Sequence, residues 1–143
     1  MKYFTMCALA FVIIVTTFFG CAVPAEKLNI RDFEGFKDIP DTAAKIVVNY
    51  QDDLSGEFEI TDESTVKEVM NLLLSETYAR RQKTNELGAG GNSNMSVILE
   101  DGRIFKISLH RLEKSGYYYT SESSSLLGKL RELGLEYDAL KAR

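Results

Sequence analysis

Cysteine is scarce in this chain. Its 143 residues hold two, Cys7 and Cys21, so no disulfide framework is available. A chain of this length can bury a proper core without one. Histidine is scarcer still, with His110 alone. A transition-metal site wants several His or Cys ligands, and a general base needs a nucleophile or carboxylate held beside it. Neither pattern is present, so the sequence offers no catalytic and no metal-binding residue. Strand parity places His110 on a polar face, as a surface histidine. Basic residues are outnumbered, 17 Lys and Arg against 21 Asp and Glu, for a formal charge of −4. That balance argues against nucleic acid, which wants a basic stripe. It also argues against a broadly basic surface for hugging membranes. Long apolar runs are missing too. The longest, Met6 to Phe19, has roughly 14 residues, short of the about 20 that a spanning helix needs.

What is there begins with that run. Lys2 and the amino terminus give a positive start, the apolar run follows, and Gly20 and Cys21 close it. This is the layout of a secretory signal. Three outcomes are open. Phe18-Phe19-Gly20-Cys21 reads as a lipobox; Gly20-Cys21-Ala22 and Val23-Pro24-Ala25 read as ordinary cleavage sites; an uncleaved anchor is the third. The first resembles the signal of bacterial lipoproteins. By that resemblance Cys21 receives a diacylglyceryl group and the chain is cut between Gly20 and Cys21. The body would then sit on the extracytoplasmic face of the cell membrane, held by its lipid. Cysteine arithmetic agrees: with Cys7 removed, Cys21 is a lone thiol in a secreted chain and calls for an explanation. Two acyl chains suffice for stable anchoring. No other cofactor is expected.

The organisation that follows is a signal helix over 1–20, a tether over 21–41 and a single domain over 42–143. Pro24, Gly35 and Pro40 punctuate the tether. Leu28, Ile30, Phe33, Phe36 and Ile39 are more apolar than a spacer requires, so docking of this stretch on the domain stays open. Ala44 to Tyr50 alternates as a half-buried strand. Asp52 to Gly56 turns the chain, and Glu57 to Ile60 returns. A helix is expected from Asp62 to Arg80, with Val66, Val69, Met70, Leu73 and Thr77 at helical spacing and Leu72 and Leu74 widening the stripe. Arg81 to Ser93 reads as a loop. Met95, Val97 and Leu99 alternate, Asp101-Gly102 suits a two-residue type I′ turn, and Phe105, Ile107 and Leu109 alternate back. Ser115-Gly116 turns into an aromatic fifth strand, Tyr117 to Thr120. A last helix starts at Ser123 or Ser124, with Gly134 placed as its C′ glycine. The fold class is α+β: a mostly antiparallel five-stranded sheet in the order β-β-α-β-β-β-α, with two helices on one face. Ile104 and Tyr118 are candidates for the other face.

Few residues invite chemistry. Asp52, Asp53, Ser55 and Glu57 could hold calcium, but lack EF-hand spacing. Gly88-Ala89-Gly90-Gly91 lacks the Lys-Ser/Thr pair of a P-loop. Arg80, Arg81 and Lys83 read as favourable charge at a helix end, or as a contact for anionic headgroups. Tyr117 and Tyr119 should face one way and Tyr118 the other, and the exposed side is a candidate interaction site, since tyrosine carries binding energy at interfaces. The body resembles small uncharacterised lipoproteins of Gram-positive bacteria, a likeness that names no substrate. The expected role is a non-catalytic binding module for an envelope protein or peptide. The alternatives are a small-ligand carrier or enzyme with an unrecognised site, or a freely secreted protein.

Overall fold

The computed structural model describes residues 26–50, 56–83 and 93–142. The signal helix, Gly20, Cys21, the first tether residues, the acidic turn at 52–55 and the glycine loop at 88–92 lie outside the described residues.

The clearest alternation in the sequence makes one sheet. Strands β2 (Lys45–Tyr50) and β3 (Gly56–Ile60) pair antiparallel, with Ile46 opposite Ile60 and Val48 opposite Phe58. Strands β5 (Asn94–Ile98) and β6 (Ile104–Ser108) do the same, with Met95 opposite Ile107. β5 also pairs with β2, giving the order β3-β2-β5-β6. Two-residue periodicity sends Ile46, Val48, Phe58, Ile60, Met95, Val97 and Ile107 to one buried face. The β5–β6 turn is one residue longer than expected. The Gly102 N–H donates to the Leu99 carbonyl (3.1 Å) and the Leu99 N–H to the Arg103 carbonyl (3.0 Å). Gly102 takes φ +84°, so the loop is a three-residue turn closed by a left-handed glycine.

Helix α1 (Glu63–Ser75) starts at Asp62, whose carboxylate accepts from the Thr65 N–H at 2.9 Å. Its stripe of Val66, Val69, Met70 and Leu73 is buried. The helix ends five residues before the expected Arg80. Glu76 turns to an extended conformation (ψ 139°), and the Asn29 side-chain amide donates to the carbonyls of Leu74 and Glu76. Those bonds satisfy carbonyls that a helix end leaves without partners.

The chain then enters β4 (Tyr78–Lys83), a strand over residues read from sequence as helix and loop. Ala, Arg, Gln and Lys are good helix formers, but pairing decides here. β4 is flanked on one side by β8 (Tyr117–Ser121), and on the other by β1 (Lys27–Leu28). β7 (Leu112–Lys114) completes the second sheet, in the order β1-β4-β8-β7. Here the two-residue turn does occur: Ser115 (φ 53°) and Gly116 (φ 77°) are both left-handed, as a type I′ turn requires. The expected five-stranded sheet is thus replaced by two antiparallel four-stranded sheets. β4 draws the tyrosine strand away from the β5–β6 hairpin.

From Leu28 to Ile39, the stretch read as tether packs into the body. Leu28, Ile30, Phe33 and Ile39 are buried in the common core. Phe33 meets Tyr78 and Tyr119 edge-on, at 5.5 and 5.3 Å between ring centres. The Arg31 guanidinium closes the segment, donating to the Ile39 carbonyl (2.9 and 3.1 Å) and pairing with Asp41 (2.7 Å). Residues 28–39 are therefore docked, and the described body starts ahead of position 42.

Helix α2 (Ser125–Lys141) runs on through Gly134 instead of ending there. A Cβ on Gly134 would lie 3.2 Å from the Phe58 ring. The glycine serves close approach, not termination. Tyr137 follows on the same ring at 5.9 Å, and the Tyr50 hydroxyl donates to the Leu127 carbonyl at 3.3 Å. The two helices meet each other and the inner face of the β2–β5 sheet.

Candidate functional site

The outer face of the β2–β5 sheet carries three cross-strand rows. Lys45, Ile98 and Ile104 form one; Glu59, Val47, Ser96 and Lys106 the next; Glu57, Asn49, Asn94 and Ser108 the third. Lys45 reaches Glu59 at 2.9 Å. The face is polar along two rows and apolar at one corner, where Ile104 is 62% exposed.

That corner adjoins a strand edge that no described strand pairs with. The Leu99 and Leu109 N–H groups donate to the Arg103 and Ser93 carbonyls. Antiparallel alternation then turns the backbone of Phe105 and Ile107 toward β5. The N–H and C=O groups of Ile104, Lys106 and Ser108 point away from the sheet. A groove of about 540 Å³ runs beside this edge, between Gly35, Phe36 and Asp38 and the start of β6. Phe36 and Phe105 are half-buried against the core, so the groove has aromatic walls.

A second cleft, about 740 Å³, lies between Pro40–Ala44, the first turns of α1 and the β5–β6 turn. Arg103 borders both. Its guanidinium is engaged by Asp101 at 2.7 Å. The Arg103 backbone N–H and then its side chain hold the Asp101 carboxyl below the usual range. Asp62, at the mouth of α1, is lowered to about 2 by the hydroxyls of Ser64 and Thr65 and the Thr65 N–H. Asp62 caps α1, and Asp101, which lines the cleft, is taken up by Arg103 within the β5–β6 turn. Between α2 and β6 a narrow space of about 10 Å³ adjoins the buried Glu76, room for about one water. The Glu76 carboxylate accepts from the Ser121 hydroxyl. Burial, and then the negative Glu76, push the Tyr78 phenol far above its ordinary pKa.

The tyrosine triplet divides as parity requires. Tyr119 is buried, and its hydroxyl reaches out to donate to the Glu26 carboxylate at 3.1 Å. Burial, then Glu26, raise its pKa. Tyr117 packs beside the core with the Arg80 guanidinium 4.8 Å over its ring. Tyr118 faces the other way, half-buried under Arg111 at 4.5 Å. Tyr118 and Ile104, paired by sequence parity as one second face, stand on different sheets. The basic cluster is not at a helix end. Arg80 lies on the Tyr117 side of β4, and Arg81 donates to the Thr120 hydroxyl at 2.9 Å on the other. His110 is half-buried in the bend between β6 and β7. No group of three or more His, Cys, Asp or Glu among the described residues is placed to hold a metal. No helix among them is long and apolar enough to cross a membrane. The lipidation and cleavage positions, Gly20 and Cys21, lie outside the described residues.

Sequence reasoning missed the β6 edge as a place. Ile104 was visible as an apolar residue of uncertain parity, but Phe36 reaches the edge only because residues 28–39 dock. Against known proteins, the chain matches no family model, no curated protein and no solved structure.

Proposed function

We propose that the chain is a lipid-anchored protein of the bacterial cell envelope, and that its body is a non-catalytic binding module. The signal layout and the lone Cys21 support the address. The bare β6 edge carries the binding reading. Three outward-facing backbone pairs, at Ile104, Lys106 and Ser108, stand beside an exposed isoleucine and an aromatic-walled groove. An extended partner segment would add as a strand and place alternate side chains on the Ile104 corner and into the groove. An unprotected edge is otherwise an aggregation liability. The two clefts beside β6 and the start of α1 are open at the surface, which suits surface binding.

The test is photocrosslinking in envelope-bearing cells, with the probe at position 104 and, as control, at position 132. A partner adding as a strand should crosslink at 104 and not at 132, and Lys106→Pro should abolish it. That substitution removes an outward N–H that the sheet does not use, a place where an edge strand tolerates proline. Equal labelling from both positions, or labelling that survives Lys106→Pro, would contradict strand addition.

A further inference from the structure

We infer that the outer face of the β4–β8 sheet rests on the anionic surface of the membrane that anchors the chain. The inference rests on the lipid-anchor reading. Its first ground is length. Glu26 is held by the Tyr119 hydroxyl, and Lys27 pairs with Ala79 in β4. Only residues 22–25 separate Cys21 from the folded body. Four residues, however arranged, reach at most about 14 Å, so the body cannot move far from its anchor. The element at that point is β1, the edge of the β4–β8 sheet.

The second ground is chemistry. In-register pairing sets Lys27, Ala79 and Thr120 in one row of the outer face. Arg81 joins that face through its bond to Thr120, and Arg111 through its stack on Tyr118. Among the described residues, the face thus carries these three cations. Its carboxylates are Glu122, which pairs with Lys27 at 3.0 Å, and Glu113, opposite Tyr118. Across the core, α1 and α2 carry Glu63, Glu68, Glu132, Glu136 and Asp138 against Lys67, Lys129, Arg131 and Lys141, and Lys129 pairs with Glu68 and Glu132. In a chain of net negative charge, the face nearest the proposed anchor thus holds one more cation than carboxylate, and two of its three cations are arginines. Guanidinium groups suit phosphate oxygens, and a tyrosine ring suits the headgroup layer.

The test uses residues 22–143, which keep every buried side chain of the described core. An N-terminal histidine tag on nickel-chelating lipid stands in for the acyl anchor. Vesicles are phosphatidylcholine with or without phosphatidylglycerol, and the readout is hydroxyl-radical oxidation by mass. The expected result is a severalfold fall in Tyr118 oxidation on the anionic vesicles, with Ile104 and Leu140 unchanged. Added salt should reverse the fall, and Lys27→Gln with Arg81→Gln should weaken it. Equal oxidation of Tyr118 on both vesicles, or protection of Ile104 or Leu140 instead, would overturn the inference from the wild-type chain alone. The nickel anchor makes this outcome independent of acylation at Cys21, which the mass of the native chain reports separately.

Discussion

The two sheets solve the same burial problem with different lids. The β2–β5 sheet is covered by α1 and α2, and Gly134 lets α2 cross the Phe58 ring closely. The β4–β8 sheet has no long element of its own to cover its inner face. The N-terminal segment does part of that work, with Phe33 set edge-on between Tyr78 and Tyr119. The outer faces differ as well. One sheet shows a polar ladder with an apolar corner and, among the described residues, an unpaired edge at β6; the other shows Lys27, Arg81 and Arg111. On the proposed reading, the two sheets would divide the work, one toward the membrane and the other toward a partner.

The comparison predicts unequal responses to substitution. Phe33→Ala should have the largest effect, a loss of about 3–5 kcal/mol, as for other buried aromatics. Urea unfolding measures the loss, and native-state amide exchange should show the β4–β8 sheet opening before the β2–β5 sheet. If both sheets loosen equally, the segment is not a separate lid. Gly134→Leu strikes the other lid by overpacking against Phe58 and should cost about 1–3 kcal/mol. Asp62→Ala should lower the urea midpoint by removing the α1 cap. The effect should depend on pH with a definite sign. The Asp62 carboxyl is lowered in the folded chain from 3.8 to about 2. Its contribution is therefore complete above pH 3.8 and is lost as pH falls through about 2. The gap between wild type and variant should close over that window and stay constant from about pH 5 to 7. Ile104→Asp should have the smallest effect on stability, within about 0.5 kcal/mol for an exposed site, yet abolish crosslinking to a strand partner from a probe moved to position 106. A large stability loss would mean that Ile104 is structural.

Legibility followed the same division. The β2–β5 sheet is written in strict alternation, and that period alone assigns Ile46, Val48, Met95, Val97 and Ile107 to a core. The β4–β8 sheet has no such signature. β1 has two residues and β7 three, too few for a period to show. β4 spells Tyr-Ala-Arg-Arg-Gln-Lys, whose local preference is helical. Only its long-range pairing with β8 makes it a strand. The stop after Ser75 was hidden for the same reason, because the Asn29 amide that satisfies its carbonyls comes from 45 residues earlier. Gly134 misled by its usual meaning; nothing in the local sequence tells a helix-ending glycine from one that lies over an aromatic ring. The tyrosine triplet divides as its parity indicates, but which side met the core depended on Phe33. The candidate site was half visible. Ile104 stood out, whereas Phe36 and the groove needed the docked segment.

The measurement that bears most directly on the account is the intact mass and detergent partitioning of the chain expressed in a bacterial host, beside Cys21→Ala. The account predicts that the wild type enters the detergent phase with the mass of a diacylated chain beginning at Cys21, and that the variant does not. Both forms in the aqueous fraction, beginning near Val23 or Glu26, would contradict the anchor and leave the protein a freely secreted one.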